Sequence, residues 1–395
     1  MITIMNTEKL ANDIIKYKPF LDALHVGNDT EIVEKMDILG SEFDPNAIVY
    51  RSGDSILHMI ARLGRTSALR LLLERFNHNV NIEPTNLEGK RPLHEASQYG
   101  KYEIVELLIK HGVQVDPIKR ADWTPLMMAT TKVGSDAQKV VQILLHRGRA
   151  STTLQNKDGW NAFHLAAREG DVNILKLLHD YNPLASSSKS KNGRTPAHTA
   201  ALHGKLSVLK FLHGNCGQCL NETDSCGATP LMDAARAGHL NVVSYLTEKI
   251  QCDIRGNDKM GRNVLCVAAH SGQTEIVSYL VKSIKMDPNA KDDSKLAMTP
   301  IHWAAKEGHL ETIKILVEEL TSDPNCKDGT GRTPLYFAIS ANHLDVTRYL
   351  LTHINIFDMK YLTMASSNPN MCSLLEETFA SWKIKLYIST SDSGT

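Results

Sequence analysis

Apolar positions recur in one frame along most of this chain, and each turn of the frame holds two helical halves. Nine segments set it, at residues 53–58, 89–94, 121–127, 159–164, 193–198, 227–232, 261–266, 297–302 and 331–336. Their anchoring residues Leu57, Leu93, Leu126, Phe163, Ala197, Leu231, Leu265, Ile301 and Leu335 follow one another at intervals of 33 to 37 positions. Thr195, Thr229, Thr299 and Thr333 each precede an apolar helical stretch, where a hydroxyl caps the first turn; the Pro that follows is tolerated there because its missing N–H has no partner to lose. A paired small residue behind the anchor gives a thin face for close helix packing. Gly170, Gly204, Gly272 and Gly308 then stand where a short helix ends in a left-handed cap. A second amphipathic run follows, as in Ile104-Val-Glu-Leu-Leu108 and Ile174-Leu-Lys-Leu-Leu178, before a polar turn leads into the next unit.

One such unit cannot bury enough apolar area to fold alone, whereas a stack of them can. The recurrence near 33 residues resembles the ankyrin-repeat family. The resemblance implies an all-α ankyrin-repeat solenoid of nine recognisable repeats plus a degenerate N-terminal capping unit. The expected organisation is an N-terminal segment over 1–19, a capping repeat over 20–50, ankyrin repeats over 51–352 and a C-terminal cap with a flexible tail over 353–395. In that last part Leu374, Phe379 and Trp382 are expected to cover the final repeat, and residues 389–395 to be disordered.

Composition adds mainly exclusions. The 395 residues carry 44 Lys+Arg against 44 Asp+Glu, so the chain as a whole has no cationic surplus for nucleic acid or anionic membrane. No apolar run approaches a membrane span, and the polar start of the chain predicts no signal peptide. Seven cysteines without a regular framework fit a reducing compartment, the cytoplasm with the nucleus as a second site. Cys216-Gly-Gln-Cys219, with Cys226 and His213 near it, is the strongest metal-like cluster, but it offers one complete pair only and reads as loop and core cysteines. His58, His94, His164, His198 and His302 share one slot of the repeat, which predicts a structural imidazole bonded to neighbouring backbone. No phosphate loop and no nucleophile–base set is legible. The chain is therefore expected to bind rather than catalyse, with no cofactor and no metal, and to be monomeric on its own.

Binding is expected where the frame departs from the bland. Trp123 and Trp160 occupy successive turn edges beside Lys119, Arg120, Asp122, Lys157 and Asp158, and a serine-lysine loop with Lys189 and Lys191 follows. The two indoles either form an anchor for a partner or pack between loops. Lys90-Arg-Pro-Leu-His-Glu-Ala96, the stretch from Lys119 to Met128, and Asn156-Lys-Asp-Gly-Trp160 also resemble, more narrowly, the ankyrin repeat domain-containing protein 16 family. That resemblance implies a non-catalytic cofactor of alanyl-tRNA synthetase that helps prevent serine mischarging by accepting misactivated serine on lysine side chains. Carried over by position, one acceptor falls on Lys157. Another falls on Arg120, which cannot accept an acyl group at neutral pH, leaving Lys119 beside it. A third falls near Ser187, with Lys189 and Lys191 close by. The alternative reading is a general ankyrin adaptor or scaffold in signalling or protein degradation.

Overall fold

The computed structural model describes the backbone of residues 7–354, 358–365 and 368–391, and within those ranges the side chains of residues 12–381. Among the described residues the chain is all-α, with only two isolated β-bridges, Ile48 with Ser55 and Lys119 with Trp123. It divides into two compact units. The first comprises Met1–Thr199 with Ser207–Gln218, and the second Ala200–Leu206 with Cys219–Thr395.

Each unit is a stack of helix pairs. In the first unit, Ile56–Leu63 pairs with Thr66–Phe76, Pro92–Gln98 with Tyr102–Lys110, Pro125–Ala129 with Ser135–His146, and Ala162–Glu169 with Val172–Tyr181. In the second, the short helices Pro230–Ala237, Val264–His270, Pro300–Glu307 and Pro334–Ser340 each precede an outer helix. The first helix of a pair thus opens three residues beyond the frame's glycine slot, or four where Ala121 fills it. Its small pairs, such as Ala166 with Ala167 and Ala304 with Ala305, are completely buried, and so are Leu175, Leu178 and Leu280 of the outer helices. Each such leucine stabilises the stack by roughly 2–3 kcal/mol.

The imidazole slot is what joins one pair to the next. His58 Nδ1 accepts from the N–H of Ser55 at 3.1 Å, while Nε2–H donates to the carbonyl of Lys90, one repeat on, at 2.9 Å. His94 links Arg91 N–H (3.1 Å) to the Trp123 carbonyl (3.1 Å), and His302 links Thr299 N–H (3.2 Å) to the Arg332 carbonyl (3.1 Å). His164 reaches the Arg194 carbonyl at 2.9 Å. A carbonyl can only accept, so the proton sits on Nε2 and the ring is neutral. At its own end His198 follows the same pattern, taking the N–H of Thr195 at 3.2 Å.

The threonine caps are less uniform than the sequence predicts. Thr124 and Thr229 accept from Met127 and Met232 N–H, as helix caps do. Where the slot holds histidine, the hydroxyls of Thr195 and Thr299 lie 3.0 and 2.8 Å from the imidazole Nδ1, and Thr333 bonds the Tyr361 hydroxyl at 3.0 Å.

A second stitch runs the other way in the second unit. His239, His309 and His343 donate from Nε2 to the carbonyls of Leu202 (3.1 Å), His270 (3.0 Å) and Lys306 (3.0 Å), at the end of the preceding short helix. The ring lies flat against the cap glycine. At Gly204, whose φ is +66°, an added Cβ would meet His239 Nδ1 at 2.7 Å, so this slot excludes any side chain.

At the N-terminal end the helix Thr7–Val26 runs across residue 20, and its Tyr17, Phe20 and Leu24 are buried. Phe43 packs edge-on to Phe20 at 5.3 Å and stacks on Phe76 at 5.4 Å, tying this end to the first full pair. Toward the other end, Leu374 and Leu375 of the helix Pro369–Ser391 are buried and Phe379 is half-buried. The side chain of Trp382 and residues 392–395 lie outside the described residues, and the helix extends through positions 389–391, where the polar sequence predicts disorder.

Burial pulls the imidazoles of His94 and His164 down to about 4 from an ordinary value of 6.5. The unfolded chain therefore holds more protons than the folded one between pH 6.5 and about 4, and stability falls as pH falls through that window, levelling off below it. The expected loss is on the order of 3 kcal/mol per imidazole. Urea midpoints measured from pH 7.5 to 4 check this, and His164→Gln should flatten part of the slope.

Candidate partner-binding surface

The polar turns are built alike. Asn86 Oδ1 accepts from the N–H groups of Glu88 (3.0 Å) and Lys90 (2.9 Å), and Asn156 Oδ1 accepts from Asp158 (3.0 Å) and Trp160 (2.9 Å). Asp224, Asp258 and Asp328 do the same in the second unit, while Asp292 accepts from Ser294 and, across a longer turn, from Met298. Successive tips are then tied backbone to backbone. In the first unit Leu87 N–H donates to Ser52 (3.0 Å), Arg120 to Glu88 (2.8 Å), Lys157 to Ala121 (3.0 Å) and Lys191 to Asp158 (3.1 Å). These four bonds hold the turns in register at one repeat per step.

One turn breaks the pattern. Lys119 stands where its neighbours have Asn or Ser, and an ammonium offers no acceptor for the turn's N–H groups. In place of a single left-handed glycine, Ala121 and Asp122 both take positive φ, at 66° and 60°. Such backbone is uncommon outside glycine and stores strain, which tends to gather at working sites. The turn is closed by Lys119 N–H to the Trp123 carbonyl at 3.0 Å, the same carbonyl that receives His94.

Trp123 and Trp160 are partly exposed, and each ring carries a cation. Lys119 Nζ lies 5.6 Å from the Trp123 ring centre, and the Arg168 guanidinium 5.8 Å from that of Trp160. Trp160 also stacks on His164 at 6.1 Å. Packing against the fold and a face toward solvent thus coexist in both indoles, so the two alternatives read from sequence are not exclusive. Desolvation lowers the pKa of the Lys119 amine, with the positive charge of Lys90 adding to it. Arg120, Lys157, Asp158, Lys189 and Lys191 are exposed and Asp122 is half-exposed. The ladder brings Lys119, Arg120, Lys157 and Lys191 onto neighbouring tips, and Lys189 joins through its carbonyl, which accepts from Gln155 at 2.9 Å.

Sequence reasoning missed Arg168 and Lys90. Their signal was an eight-residue offset between the turn slot and the short helix behind it. Asp54 pairs with Arg62 (2.7 Å), Lys90 with Gln98 (3.4 Å), and Trp160 with Arg168 in the same way. Arg62 and Lys90 also converge on the fully buried carboxylate of Glu95, at 2.9 and 3.3 Å.

All seven cysteines are free thiols, and among the described residues no group of three or more His, Cys, Asp or Glu is placed to hold a metal ion. Burial pushes the Cys216 thiol up to about 11, away from thiolate chemistry. No helix among the described residues is long and apolar enough to cross a membrane.

The family model described as ankyrin repeats in three copies matches residues 20–119, 57–155, 126–224, 203–292 and 284–361. Transient receptor potential cation channel subfamily A member 1 of Homo sapiens is 32% identical over 133 residues, 33% of this chain and 11% of that one. The B-cell lymphoma 3 protein homolog of Mus musculus is 27% identical over 157 residues, 39% of this chain and 34% of its own. The nuclear factor NF-kappa-B p105 subunit of Gallus gallus is 33% identical over 132 residues, 32% of this chain and 13% of its own. The chain thus spans about a third or less of the length of these relatives.

The lowered basicity of Lys119 has a chemical readout. Trace acylation by acetic anhydride, followed by peptide mass spectrometry across pH 7 to 10, should show Lys119 reaching half-maximal labelling at lower pH in the folded chain than in the urea-unfolded chain. Coincident curves for Lys119 in the folded and unfolded chains would count against the desolvated amine.

Proposed function

Because the chain belongs to the ankyrin-repeat family, we propose that it is a non-catalytic scaffold whose first unit binds a protein partner through the tips from Lys119 to Lys191. The observation that carries this is the pair of half-exposed indoles, Trp123 and Trp160, held on adjoining turns with cations on their rings and exposed Arg120 and Lys157 beside them. Tryptophan and arginine dominate binding energy where they desolvate on contact, and a backbone ladder keeps the ordering cost low. The repeats themselves supply a rigid support and no chemistry. Asp122 and Asp158, on the same tips, give the surface polarity at its rim. The cytoplasm or nucleus is the compartment that fits free thiols.

A second reading gives that surface a named partner, alanyl-tRNA synthetase, and a chemical task. The desolvated amine of Lys119 favours it. A neutral lysine amine attacks the carbonyl carbon of a seryl-adenylate, the amide bond forms, AMP leaves with the electron pair of the broken anhydride bond, and the amine's proton passes to solvent. Lys157, Lys189 and Lys191 are exposed enough to be further acceptors once a partner covers them. Serine is consumed and the lysine is not regenerated, so the protein would act as a trap.

Affinity capture from native extract, with mass spectrometry of both the partners and the bait, tests the two together. Trp123→Ala and Trp160→Ala should each weaken the captured partner by about tenfold or more, with helical circular dichroism at the capture temperature confirming that each variant is folded. Recovery of alanyl-tRNA synthetase with seryl-lysine on the bait selects the second reading. A different partner with the same tryptophan dependence selects the scaffold alone, and a partner indifferent to both tryptophans removes this surface from the account.

A further inference from the structure

The ladder places one residue of each turn, the second, in a fixed line, because it is that residue's N–H which reaches the preceding tip. Three successive turns of the first unit fill this position with Arg120, Lys157 and Lys191. All three are exposed, and among the described residues none of them forms an ion pair. The line is flanked by Leu87 before it, and the equivalent position of a second-unit turn holds Lys259, followed by Asp293 and Gly329. Over residues 119–122, 156–159 and 189–194 the six cations Lys119, Arg120, Lys157, Lys189, Lys191 and Arg194 face two carboxylates, Asp122 and Asp158. A chain with no net charge therefore concentrates positive charge on one edge.

The spacing of that charge selects a partner. Helices of neighbouring repeats pack about 8–10 Å apart, and the turns they carry follow the same step. A β-strand returns a side chain to the same face every second residue, after about 7 Å, and so drifts out of phase with such a row. A polyproline II segment has three residues per turn and rises about 3.1 Å per residue, so every third side chain points the same way after about 9 Å. We propose that the edge of Arg120, Lys157 and Lys191 docks an acidic protein segment in polyproline II conformation, with a carboxylate at every third residue and its apolar side chains against Trp123 and Trp160. Charge complementarity and register both point to this occupant, and the segment's preformed helix limits the ordering cost of binding. The inference rests on the partner-binding reading of the same surface and adds to it the chemistry and period of what binds.

The test uses the full chain and two labelled synthetic peptides of identical composition. One repeats Glu-Pro-Pro four times; the other carries the same four Glu as one block between prolines. Fluorescence polarisation at low and physiological salt should show the periodic peptide binding about fivefold tighter or more. Arg120→Gln, Lys157→Gln and Lys191→Gln should each weaken it about twofold to fivefold, the range for exposed ion pairs. Lys259→Gln should leave it unchanged. Arg120→Lys and Lys191→Arg, which keep the charge, should bind as the parent does. Equal affinity for the two peptides, or a triple Gln variant that binds as tightly as the parent, overturns the proposal. So does a single-stranded oligouridylate that displaces the periodic peptide more strongly than the unlabelled peptide does. Each of these results leaves the scaffold reading standing if Trp123→Ala and Trp160→Ala still weaken capture of the native partner.

Discussion

A neutral imidazole bonded at both ends is the interaction on which this architecture depends. At His58, His94 and His302 one ring nitrogen closes the start of its own helix and the other reaches a carbonyl of the following repeat. Both groups it serves are buried or half-buried polar backbone, which would be costly to leave without partners. The ring does this only while uncharged, so burial and hydrogen bonding reinforce one another. Every feature outward of it follows: the carbonyl to which His94 donates belongs to Trp123, and the one to which His164 donates belongs to Arg194, both in the turns that carry the exposed surface.

The candidate surface is therefore a consequence of how repeats are joined. A turn anchored by an imidazole below and by a neighbouring tip beside it holds its side chains at a set spacing. The Lys119–Trp123 turn keeps both anchors while giving up the Asn that organises the turns on either side of it, and accepts left-handed Ala121 and Asp122 in exchange. An ammonium lies over an indole as the result.

Much of this was legible in the residues alone. The period, the short helix with its glycine cap, the buried small pairs and the structural histidine all follow from spacing and from what each residue type can do. Gly170, Gly204, Gly272 and Gly308 do take positive φ. Less was legible where two distant residues choose between partners: nothing at Thr299 says that its hydroxyl will meet an imidazole, and nothing at Thr333 says that it will meet Tyr361. The tryptophans and lysines of the tips were visible as departures from the frame. Arg168 and Lys90 were not, because they depend on an eight-residue offset that only the fold of turn against helix explains. The partner's name lies beyond both sequence and fold, since exposed complementary surface is all that either supplies.

The imidazole slot is not always filled by histidine: Met127, Met232, Cys266 and Tyr336 take it in other repeats. Met127, Met232 and Cys266 are buried there and contribute packing, but they cannot span two backbone groups as the ring does. In a linear array whose stability is a sum over neighbours, unequal couplings turn a uniform rod into a string of blocks joined at seams. At two of these positions another bond takes over: Gln273 donates to the Arg236 carbonyl behind Met232 (3.1 Å), and His309 to the His270 carbonyl behind Cys266 (3.0 Å). How firmly one repeat holds the next is therefore set by both bonds together, and a repeat that lacks the ring is not for that reason loose.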